Sequence, residues 1–479
     1  MADVYDLVVI GAGSGGLTAA TFGLELGARV VLVERDHIGG DCTWTGCIPS
    51  KSLLKAAQVA HDVRTAEAYG ISVESPAVAF DAVMARVRRI IEETYVEESP
   101  DAMRQKGLDV VLGAARFEDP HTVVVGDQRL RGRNIVIATG AHPFVPPVPG
   151  IEDVAYLTSS NVWALESQPR RLVVIGGGPI GCELSQAFRR LGSEVTLLEA
   201  TDGLLSRDEP EASAVMVRVL EAEGIAVKAG HRAQQVTQDA EGIHVQTDRG
   251  LFTADALLVA VGRRPNVAGL DLEKAGVVYT ARGIEVDDQL RTSQKHIYAV
   301  GDCLGGFQFT HYADWQGRTA VRNALLPGAS KGVRAWVPWT TFTEPEVAHA
   351  GLTESQARER YGSGVVTSMV PLARIDRPRT ESDTEGFIKI VQRQGKVLGV
   401  TIVSGKAGES IQEWIHVLEG HLSVQDIATT IHVYPTYGQM NVWGSGQVLE
   451  KRLRGGLAGK LVGISSDLAL RWMRLWRRV

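Results

Sequence analysis

A strand, a glycine-rich turn, a helix and a second strand ending in an acid occur twice in this chain, and this repeat restricts the fold more than any other feature. The two turns are Gly11-Ala-Gly13-Ser14-Gly15-Gly16 and Gly176-Gly-Gly178-Pro179-Ile180-Gly181, and Glu34 and Glu199 follow them at the same offset. Glycines there let the backbone approach a pyrophosphate at a helix N-terminus, and the acid binds a ribose diol. One copy is compatible with an ordinary glycine-rich turn, but two copies predict two Rossmann-like dinucleotide-binding domains.

The repeat continues beyond these units. Each copy has a strand-and-turn insertion, Arg116–Gly140 in the first and Val227–Gly262 in the second. Each insertion ends in an apolar strand and a glycine, with a proline three residues further on. The sequence therefore predicts an α/β fold in which a pair of similar domains binds two nucleotides.

A pair of cysteines, Cys42 and Cys47, lies in the glycine-rich run from Gly39 to Lys51. The spacing permits a disulfide across a tight loop, and an apolar helical pattern follows Cys47. Exposed backbone N–H groups at a helix N-terminus and the nearby Lys51 favour a thiolate at Cys47. A zinc site would need a second Cys/His pair, and a structural disulfide suits secreted proteins that are richer in cysteine. We therefore interpret the pair as redox-active and predict no metal site.

Composition excludes several other classes of protein. The chain has 479 residues and a net charge of −6, so there is no electrostatic case for nucleic-acid binding. The N-terminal sequence has no basic region that would mark a cleavable signal. Apolar runs are too short to span a bilayer. These features predict a cytoplasmic enzyme.

Together the motifs resemble the FAD-dependent pyridine nucleotide–disulfide oxidoreductases, which include dihydrolipoamide dehydrogenase, glutathione reductase and mercuric reductase. The cysteine pair matches this family, as do Ala138-Thr139-Gly140 and Tyr298-Ala-Val-Gly301-Asp302. The resemblance implies an electron path from nicotinamide through FAD to the disulfide. It also implies an α+β dimerisation domain and a functional homodimer. The domains would be an FAD domain at 1–149 and 270–335, an NAD(P)H domain at 150–269, a dimerisation domain at 336–450 and a tail at 451–479.

The resemblance also implies roles for individual residues. Cys47 would contact the flavin as a thiolate, and Cys42 would attack the acceptor. Lys51 and Glu183 would form an ion pair at the flavin edge, and because both positions fit the family motif this interpretation is favoured over a surface lysine and a helix-face glutamate. The residues expected to bind FAD or the nicotinamide cofactor are Gly11, Gly13, Ser14, Gly15, Gly16, Glu34, Arg35, Gly40, Asp41, Ala115, Ala138, Thr139, Gly140, Gly176, Gly178, Pro179, Ile180, Gly181, Glu199, Gly262, Arg263, Gly301, Asp302, Phe309, Thr310 and His311.

Two of these expectations carry more detail. Glu199 stands where a carboxylate binds a ribose 2′-hydroxyl and repels a 2′-phosphate, so we expect NADH to be preferred to NADPH. Phe309, Thr310 and His311 would cover the flavin with their backbone. For His311 this main-chain role is favoured over proton transfer.

The chain departs from the family in the loop Ile431–Gln439. Lipoamide and glutathione reductases have a histidine before the proline of this loop and a glutamate after it, and this pair handles protons for the substrate thiol. Here those places hold Tyr434 and Gln439. A phenol with a pKa near 10 is a poor proton shuttle at neutral pH. His432, two residues upstream, can take over proton transfer from the missing histidine, or it can be a loop residue without a catalytic role.

Three classes of function therefore stay open. The first is a mercuric-reductase-like flavoenzyme that passes electrons from NADH to a small-molecule or protein disulfide, or to another small acceptor. The second is a dihydrolipoamide dehydrogenase that uses His432, or a mercuric or quinone reductase. A mercury relay lacks support because the 479 residues contain no further vicinal cysteine pair. The third is a redox-linked binding protein whose turnover is incidental.

The segment from Leu457 to Val479 has an apolar helical stripe flanked by arginines. Its apolar positions are Leu457, Leu461, Ile464, Leu468, Trp472, Leu475 and Val479. A basic amphipathic helix of this kind predicts peripheral contact with an anionic membrane, and a helix packed on its own dimer is the alternative.

Overall fold

We describe a computed structural model of the chain, which covers residues 4–74 and 77–454. The chain divides into two compact units. The first unit comprises the chain up to Leu204 together with Leu220–Ala335. The second unit comprises Leu205–Val219 together with the chain from Trp336 on. The predicted amphipathic tail lies outside the described residues. In the ranges that the structure covers, no helix is both long and apolar enough to cross a membrane.

The first nucleotide-binding region is built on a mainly parallel sheet. Strand β1 is paired with β2 and β6 in parallel, and β2 with β3, while β6, β5 and β4 form an antiparallel extension. Apolar runs such as Val30–Glu34 give strands that are buried almost throughout, as parallel strands covered on both faces require. The elements are β1 Val4–Ile10, α1 Ser14–Glu25, β2 Val30–Glu34, α2 Gly40–Trp44, α3 Cys47–Thr65, α4 Phe80–Val96, α5 Pro100–Gln105, β3 Asp109–Leu112, β4 Ala115–Asp119, β5 Thr122–Val125, β6 Gln128–Ile137 and β7 Ala141–Pro143.

The second region repeats this plan. Strands β11, β10, β9, β15 and β8 form a parallel sheet, and the predicted insertion includes the antiparallel sheet β12-β13-β14. Strand β16 is paired with β7, which joins the two regions. The elements are β8 Tyr156–Leu157, β9 Arg171–Ile175, α6 Pro179–Leu191, β10 Glu194–Glu199, α7 Pro210–Ala222, β11 Ala226–Ala229, β12 Ala233–Asp239, β13 Gly242–Thr247, β14 Gly250–Ala254, β15 Ala256–Val259 and β16 Arg263–Pro265.

The chain then returns to the first sheet. Strand β19 is added in parallel beside β6, and helix α8 packs against α1. The buried side chains of β1, β2, β6 and β19 form one core with the antiparallel extension. The elements are β17 Tyr279–Thr280, β18 Gly283–Ile284, β19 Ile297–Ala299 and α8 Thr310–Leu325.

The second unit contains a five-stranded antiparallel sheet in the order β20-β21-β24-β23-β22, with Trp414 fully buried in its core. Strands β23 and β24 form an antiparallel hairpin, and its turn residues Gln394 and Gly395 have φ of 53° and 79°. The elements are β20 Trp339–Thr341, β21 Glu346–Gly351, α9 Glu354–Tyr361, β22 Val365–Pro371, α10 Asp376–Thr380, β23 Phe387–Arg393, β24 Lys396–Ser404, α11 Ala407–Ser410, α12 Gln412–Glu419, α13 Val424–Thr429 and α14 Gln439–Arg454.

A buried lysine links segment 205–219 to the rest of this unit. Only 3% of the Lys389 side chain is exposed, and its ammonium lies 3.0 Å from Glu209, 2.7 Å from Glu211 and 2.8 Å from Glu354. Burial opposes the charge, but the three carboxylates outweigh it and raise the pKa of Lys389. This cluster anchors the segment by charge.

Candidate active site

The two predicted glycine turns have the same internal packing. A Cβ at Gly11 would lie 2.4 Å from the carbonyl oxygen of Ala138, and a Cβ at Gly176 would lie 2.5 Å from that of Ala260. A Cβ at the last glycine of either turn would lie 1.8 Å from the oxygen of the first. Side chains are therefore excluded from both turns, so helices α1 and α6 begin close to the ends of their strands. This geometry can hold a pyrophosphate at each helix N-terminus.

The acids at the ends of β2 and β10 face these turns. Glu34 accepts a hydrogen bond of 2.7 Å from the backbone N–H of Ala12, and Glu199 accepts one of 2.7 Å from Gly177. The second oxygen of Glu199 accepts from the backbone and hydroxyl of Thr201. Both carboxylates are thus oriented next to the glycines, where a ribose diol would lie.

The other predicted nucleotide-site residues lie around these turns or near them. Ser14 begins α1, Gly40 begins α2, and Pro179 and Ile180 open α6, while Ala115 is buried in β4. Thr139 and Asn266 exchange hydrogen bonds of 2.7 and 2.8 Å, which hold the segment around Ala138 and Gly140 against the one that follows Gly262. Arg35 is exposed and pairs with Asp36.

The redox pair lies where two helices meet. The segment expected to be a tight loop is instead the short helix α2, which contains Cys42, and α3 begins at Cys47 itself. A Cβ at Gly46 would lie 2.7 Å from the carbonyl oxygen of Asp41, so the chain can reverse between the two helices only with a glycine there. Cys47 consequently lies at the positive end of a 19-residue helix.

The two thiols differ in acidity. A hydrogen bond between Cys42 and Cys47 lowers the pKa of Cys47 to about 6 and raises that of Cys42. The hydroxyl of Thr310 lies 3.2 Å from the sulfur of Cys47 and also favours the thiolate, as does the charge of Lys51. At neutral pH the pair is therefore suited to hold one thiolate, at Cys47, and one thiol, at Cys42.

Lys51 and Glu183 come together as the sequence predicts. The ammonium of Lys51 lies 2.9 Å from a carboxylate oxygen of Glu183, whose side chain is only 8% exposed. Lys51 is on α3, one turn after Cys47, and Glu183 is on α6 of the second nucleotide-binding region. This ion pair thus connects the redox helix to the second region.

The residues around Asp302 fit the ribityl chain of FAD. Burial raises the pKa of Asp302 to about 6, so this carboxylate needs a hydrogen-bond donor to stay ionised. The Nε of Arg263 lies 3.7 Å from Asp302 and is itself buried without a hydrogen-bond partner. A polyol chain supplies both donors and acceptors for such groups. A flavin held there would supply a hydride acceptor for a nicotinamide and a two-electron donor for a disulfide.

An aromatic row precedes α8. The rings of Phe309 and His311 stack with centroids 5.5 Å apart, and Phe309 also stacks with Phe307. Thr310, between Phe309 and His311, begins α8 and directs its hydroxyl to Cys47. The sequence predicted a backbone role for Thr310, and its side-chain contact with the thiol was not foreseen.

The loop that departs from the family lies in the second unit. Tyr434 is 64% exposed, and its hydroxyl donates a hydrogen bond of 3.1 Å to Asp376. This hydrogen bond raises the pKa of Tyr434 further above its ordinary value. Its neighbours Ile431 and Val433 are 97% and 77% exposed. The loop therefore has an apolar tip.

His432 points the other way, into its own unit. One ring nitrogen lies 2.9 Å from the carbonyl oxygen of Thr430 and the other lies 2.9 Å from Glu413. Glu413 also accepts a hydrogen bond of 2.7 Å from Asn441. Both ring nitrogens are therefore engaged with oxygen atoms of the second unit and do not point away from it.

Several supporting residues were not found from the sequence. Asp376 and Glu413 are far along the chain from the loop that they contact. Trp163 donates a hydrogen bond of 3.0 Å to the carbonyl oxygen of Thr45, between the two cysteines. Trp44 stacks on His37 with centroids 4.4 Å apart. Only Trp44 had a visible signal, because it is a large aromatic residue within the cysteine motif.

Comparisons with known proteins identify the family. Residues 5–317 match the family model described as pyridine nucleotide-disulphide oxidoreductase, and residues 337–444 match the dimerisation domain of that family. The chain belongs to the pyridine nucleotide–disulphide oxidoreductases.

Three relatives show the range of this family. A mercuric reductase from Bacillus cereus is 35% identical over 442 residues, which cover 91% of this chain and 70% of the relative. A dihydrolipoyl dehydrogenase from Bacillus subtilis (strain 168) is 35% identical over 450 residues, which cover 91% of this chain and 95% of the relative. The HOCl-induced flavoprotein disulfide reductase RclA from Escherichia coli superposes with a TM-score of 0.83 at 29% identity, covering 92% of this chain and 99% of RclA. RclA has also been solved as a Cu(II) complex.

Membership of this family confirms the main expectations from the sequence. The protein is an FAD-dependent oxidoreductase that passes electrons from NAD(P)H through FAD to a redox-active disulfide. Its dimerisation domain makes it a homodimer. The predicted α/β architecture, with two nucleotide-binding domains followed by a dimerisation domain, is likewise confirmed.

Proposed function

We propose that this enzyme uses NADH to reduce Cys42–Cys47 and that the dithiol then reduces a small acceptor without the help of a catalytic histidine–carboxylate pair. The unequal acidity of the two thiols carries this proposal, because Cys47 is stabilised as a thiolate while Cys42 keeps its proton. In this assignment Cys47 is the flavin-side thiolate, Cys42 is the interchange thiol, and Lys51 with Glu183 holds α3 in place. The glycine turns, Asp302 and the segments after β6 and β15 form the nucleotide sites.

The choice of acceptor follows from the loop at Tyr434. Its phenol proton is directed to Asp376, and a raised pKa makes it a weaker acid than an ordinary tyrosine. The ring nitrogens of His432 are engaged with Thr430 and Glu413. Neither side chain is suited to protonate a leaving thiolate. We therefore infer that acceptors which need no positioned proton donor are reduced faster than lipoamide.

The preference for NADH rests on Glu199. Its carboxylate is fixed at the end of β10 by the backbone N–H of Gly177, beside the glycine turn. A ribose 2′-phosphate there would meet a negative charge at short range. NADH should therefore reduce the flavin with a higher kcat/KM than NADPH.

An anaerobic titration followed by an acceptor screen tests the proposal. NADH should first reduce the flavin and then the disulfide, and the reduced enzyme should be reoxidised by a small acceptor. The screen contains lipoamide, glutathione disulfide, Hg(II), Cu(II) and quinones, because relatives include a mercuric reductase, a dihydrolipoyl dehydrogenase and a protein solved with Cu(II).

The Cys42→Ser variant is the matched control, since it retains flavin reduction by NADH but lacks the interchange thiol. Acceptor reduction that survives in this variant would show that electrons leave directly from the flavin. Fast lipoamide turnover by the wild type would contradict the assignment of the loop.

We further propose that the enzyme acts in the cytoplasm, with residues 457–479 in peripheral contact with the membrane. The support is the sequence alone, which places four arginines beside an apolar stripe. Full-length protein should co-sediment with anionic vesicles and be released by salt, and a variant that ends at residue 456 should stay in solution. Loss of the dimer in that variant, with no vesicle binding by either form, would identify the segment as a packing element.

A further inference from the structure

A carboxylate one residue before the interchange cysteine is tied to the flavin site. Asp41 lies on α2 beside Cys42, and one of its oxygens pairs with the guanidinium of Arg263. Its other oxygen accepts a hydrogen bond of 3.1 Å from Thr45. Asp41 therefore connects both ends of the short helix that carries Cys42 to a cation outside it.

Arg263 is held rigidly enough to serve as that cation. It begins β16, which is paired with β7, and its guanidinium donates a hydrogen bond of 2.8 Å to the carbonyl oxygen of Ala141. Its side chain is 16% exposed. The Nε faces Asp302 at 3.7 Å and has no hydrogen-bond partner among the residues that the structure describes. One guanidinium thus lies between two carboxylates from different parts of the chain.

The charges of this cluster interact with the redox pair. The pKa of Asp302 is raised by burial and then by the charges of Asp41 and Cys47, while Arg263 lowers it. A thiolate at Cys47 adds a further negative charge to two carboxylates that share one guanidinium. Arg263 is the cation between the two carboxylates, and Lys51 is a second cation that favours the thiolate.

We propose that Asp41 and Arg263 form a positioning pair, in which Arg263 fixes the Cys42-bearing helix against the FAD site and balances the charge of Asp302 and the Cys47 thiolate. This inference rests on the proposed function, because it assumes that Cys47 is the flavin-side thiolate. Neither residue exchanges electrons or protons with the substrate. Their role is to keep two negative groups stable next to each other during reduction of the disulfide.

The sign of the effect separates this role from a merely structural one. Arg263→Met removes a positive charge and should raise the pH at which Cys47 becomes a thiolate. Asp41→Asn removes a negative charge and should lower that pH. The double variant should return close to the wild-type value. A contact that only supports the fold would instead shift both single variants in the same direction.

The holoenzyme is first reduced with dithiothreitol. The rate at which iodoacetamide alkylates Cys47 is then measured at a series of pH values, with mass spectrometry as the detection method. FAD retention is measured in parallel. Arg263→Met should weaken FAD binding by on the order of tenfold, the effect of one lost charge-assisted contact. Arg263→Lys should retain most of the charge effect. The exposed pair Arg129–Glu118 supplies matched controls, Arg129→Met and Glu118→Gln.

Shifts of equal sign in Arg263→Met and Asp41→Asn would overturn the proposal, as would identical behaviour of Arg263→Met and Arg263→Lys. If Arg263→Met does not fold, the Asp41→Asn variant alone tests the proposal. An alkylation midpoint in Asp41→Asn equal to that of the wild type would contradict a coupling between the charge of Asp41 and the acidity of Cys47. Chemical reduction makes this test independent of NADH and of the acceptor. A failure of the proposed function would appear in the NADH titration and not here.

Discussion

The hydroxyl of Thr310 should set much of the acidity of Cys47. It lies 3.2 Å from the sulfur, and no larger group needs to move when Thr310 is replaced by the nearly isosteric valine. A hydrogen bond to a charged group is worth about 1.5–3 kcal/mol, and we take the lower end because sulfur is a weak acceptor. One pKa unit corresponds to about 1.4 kcal/mol, so the loss amounts to about one unit.

Cys47 has a pKa of about 6, and the Thr310→Val variant should therefore have one of about 7. Deprotonation creates the thiolate, so its long-wavelength absorption with the flavin appears as pH rises through the pKa and is lost as pH falls. At pH 6.5 the thiolate fraction should decrease from roughly three quarters to roughly one quarter in Thr310→Val. The assay is a pH titration of this absorption after anaerobic reduction with NADH.

The Thr310→Ser variant is the matched control, because it retains the hydroxyl and loses only the methyl group. Its midpoint should stay close to that of the wild type. Equal shifts in the serine and valine variants would refute the argument, since the effect would then come from packing. An unchanged midpoint in the valine variant would show that Cys42 and the helix N-terminus are sufficient.

Three further predictions concern the thiols, the loop and the buried lysine. Cys42→Ser should show the long-wavelength absorption in the resting enzyme and Cys47→Ser should lack it; identical spectra would show that this division of roles is wrong. Tyr434→His combined with Gln439→Glu should raise dihydrolipoamide oxidation without changing flavin reduction by NADH, and a positioned acid–base is worth ~10²–10⁴-fold. High lipoamide activity in the wild type would contradict this. Lys389→Met should lower the free energy of unfolding by about 3–5 kcal/mol, because it leaves the buried carboxylate of Glu209 without its cation. An unchanged urea midpoint would show that water or protonation compensates.

Much of the fold was predictable because local sequence determines it. The strand–glycine–helix units need several glycines at fixed spacing, and Gly11 and Gly176 make the same close contacts in both copies. The hairpin turn at Gln394 and Gly395 follows from residues that tolerate positive φ. These features depend on neighbours in sequence, so periodicity and turn composition reveal them.

The support of the site could not be predicted in the same way. Tyr434 contacts Asp376, 58 residues earlier, and His432 contacts Glu413, 19 residues earlier. No periodic pattern connects such pairs, because tertiary packing decides which carboxylate a loop residue reaches. The short helix α2 was likewise missed, since five residues with a glycine at the start give little helical signal. Sequence motifs therefore reveal the site residues, whereas only the tertiary structure reveals the hydrogen-bond partners of those residues.

The hydrogen bond from Trp163 to Thr45 has a consequence for chimeric enzymes. The indole belongs to the second nucleotide-binding region, and the carbonyl that it reaches lies between the two cysteines of the first. The indole also donates to Ser159, so its orientation is fixed by its own region. A hybrid that takes its NAD-binding half from a relative without tryptophan at this position would lose this hydrogen bond to the cysteine motif. An exchange of the NAD-binding half should therefore keep the tryptophan together with the cysteine motif that it contacts.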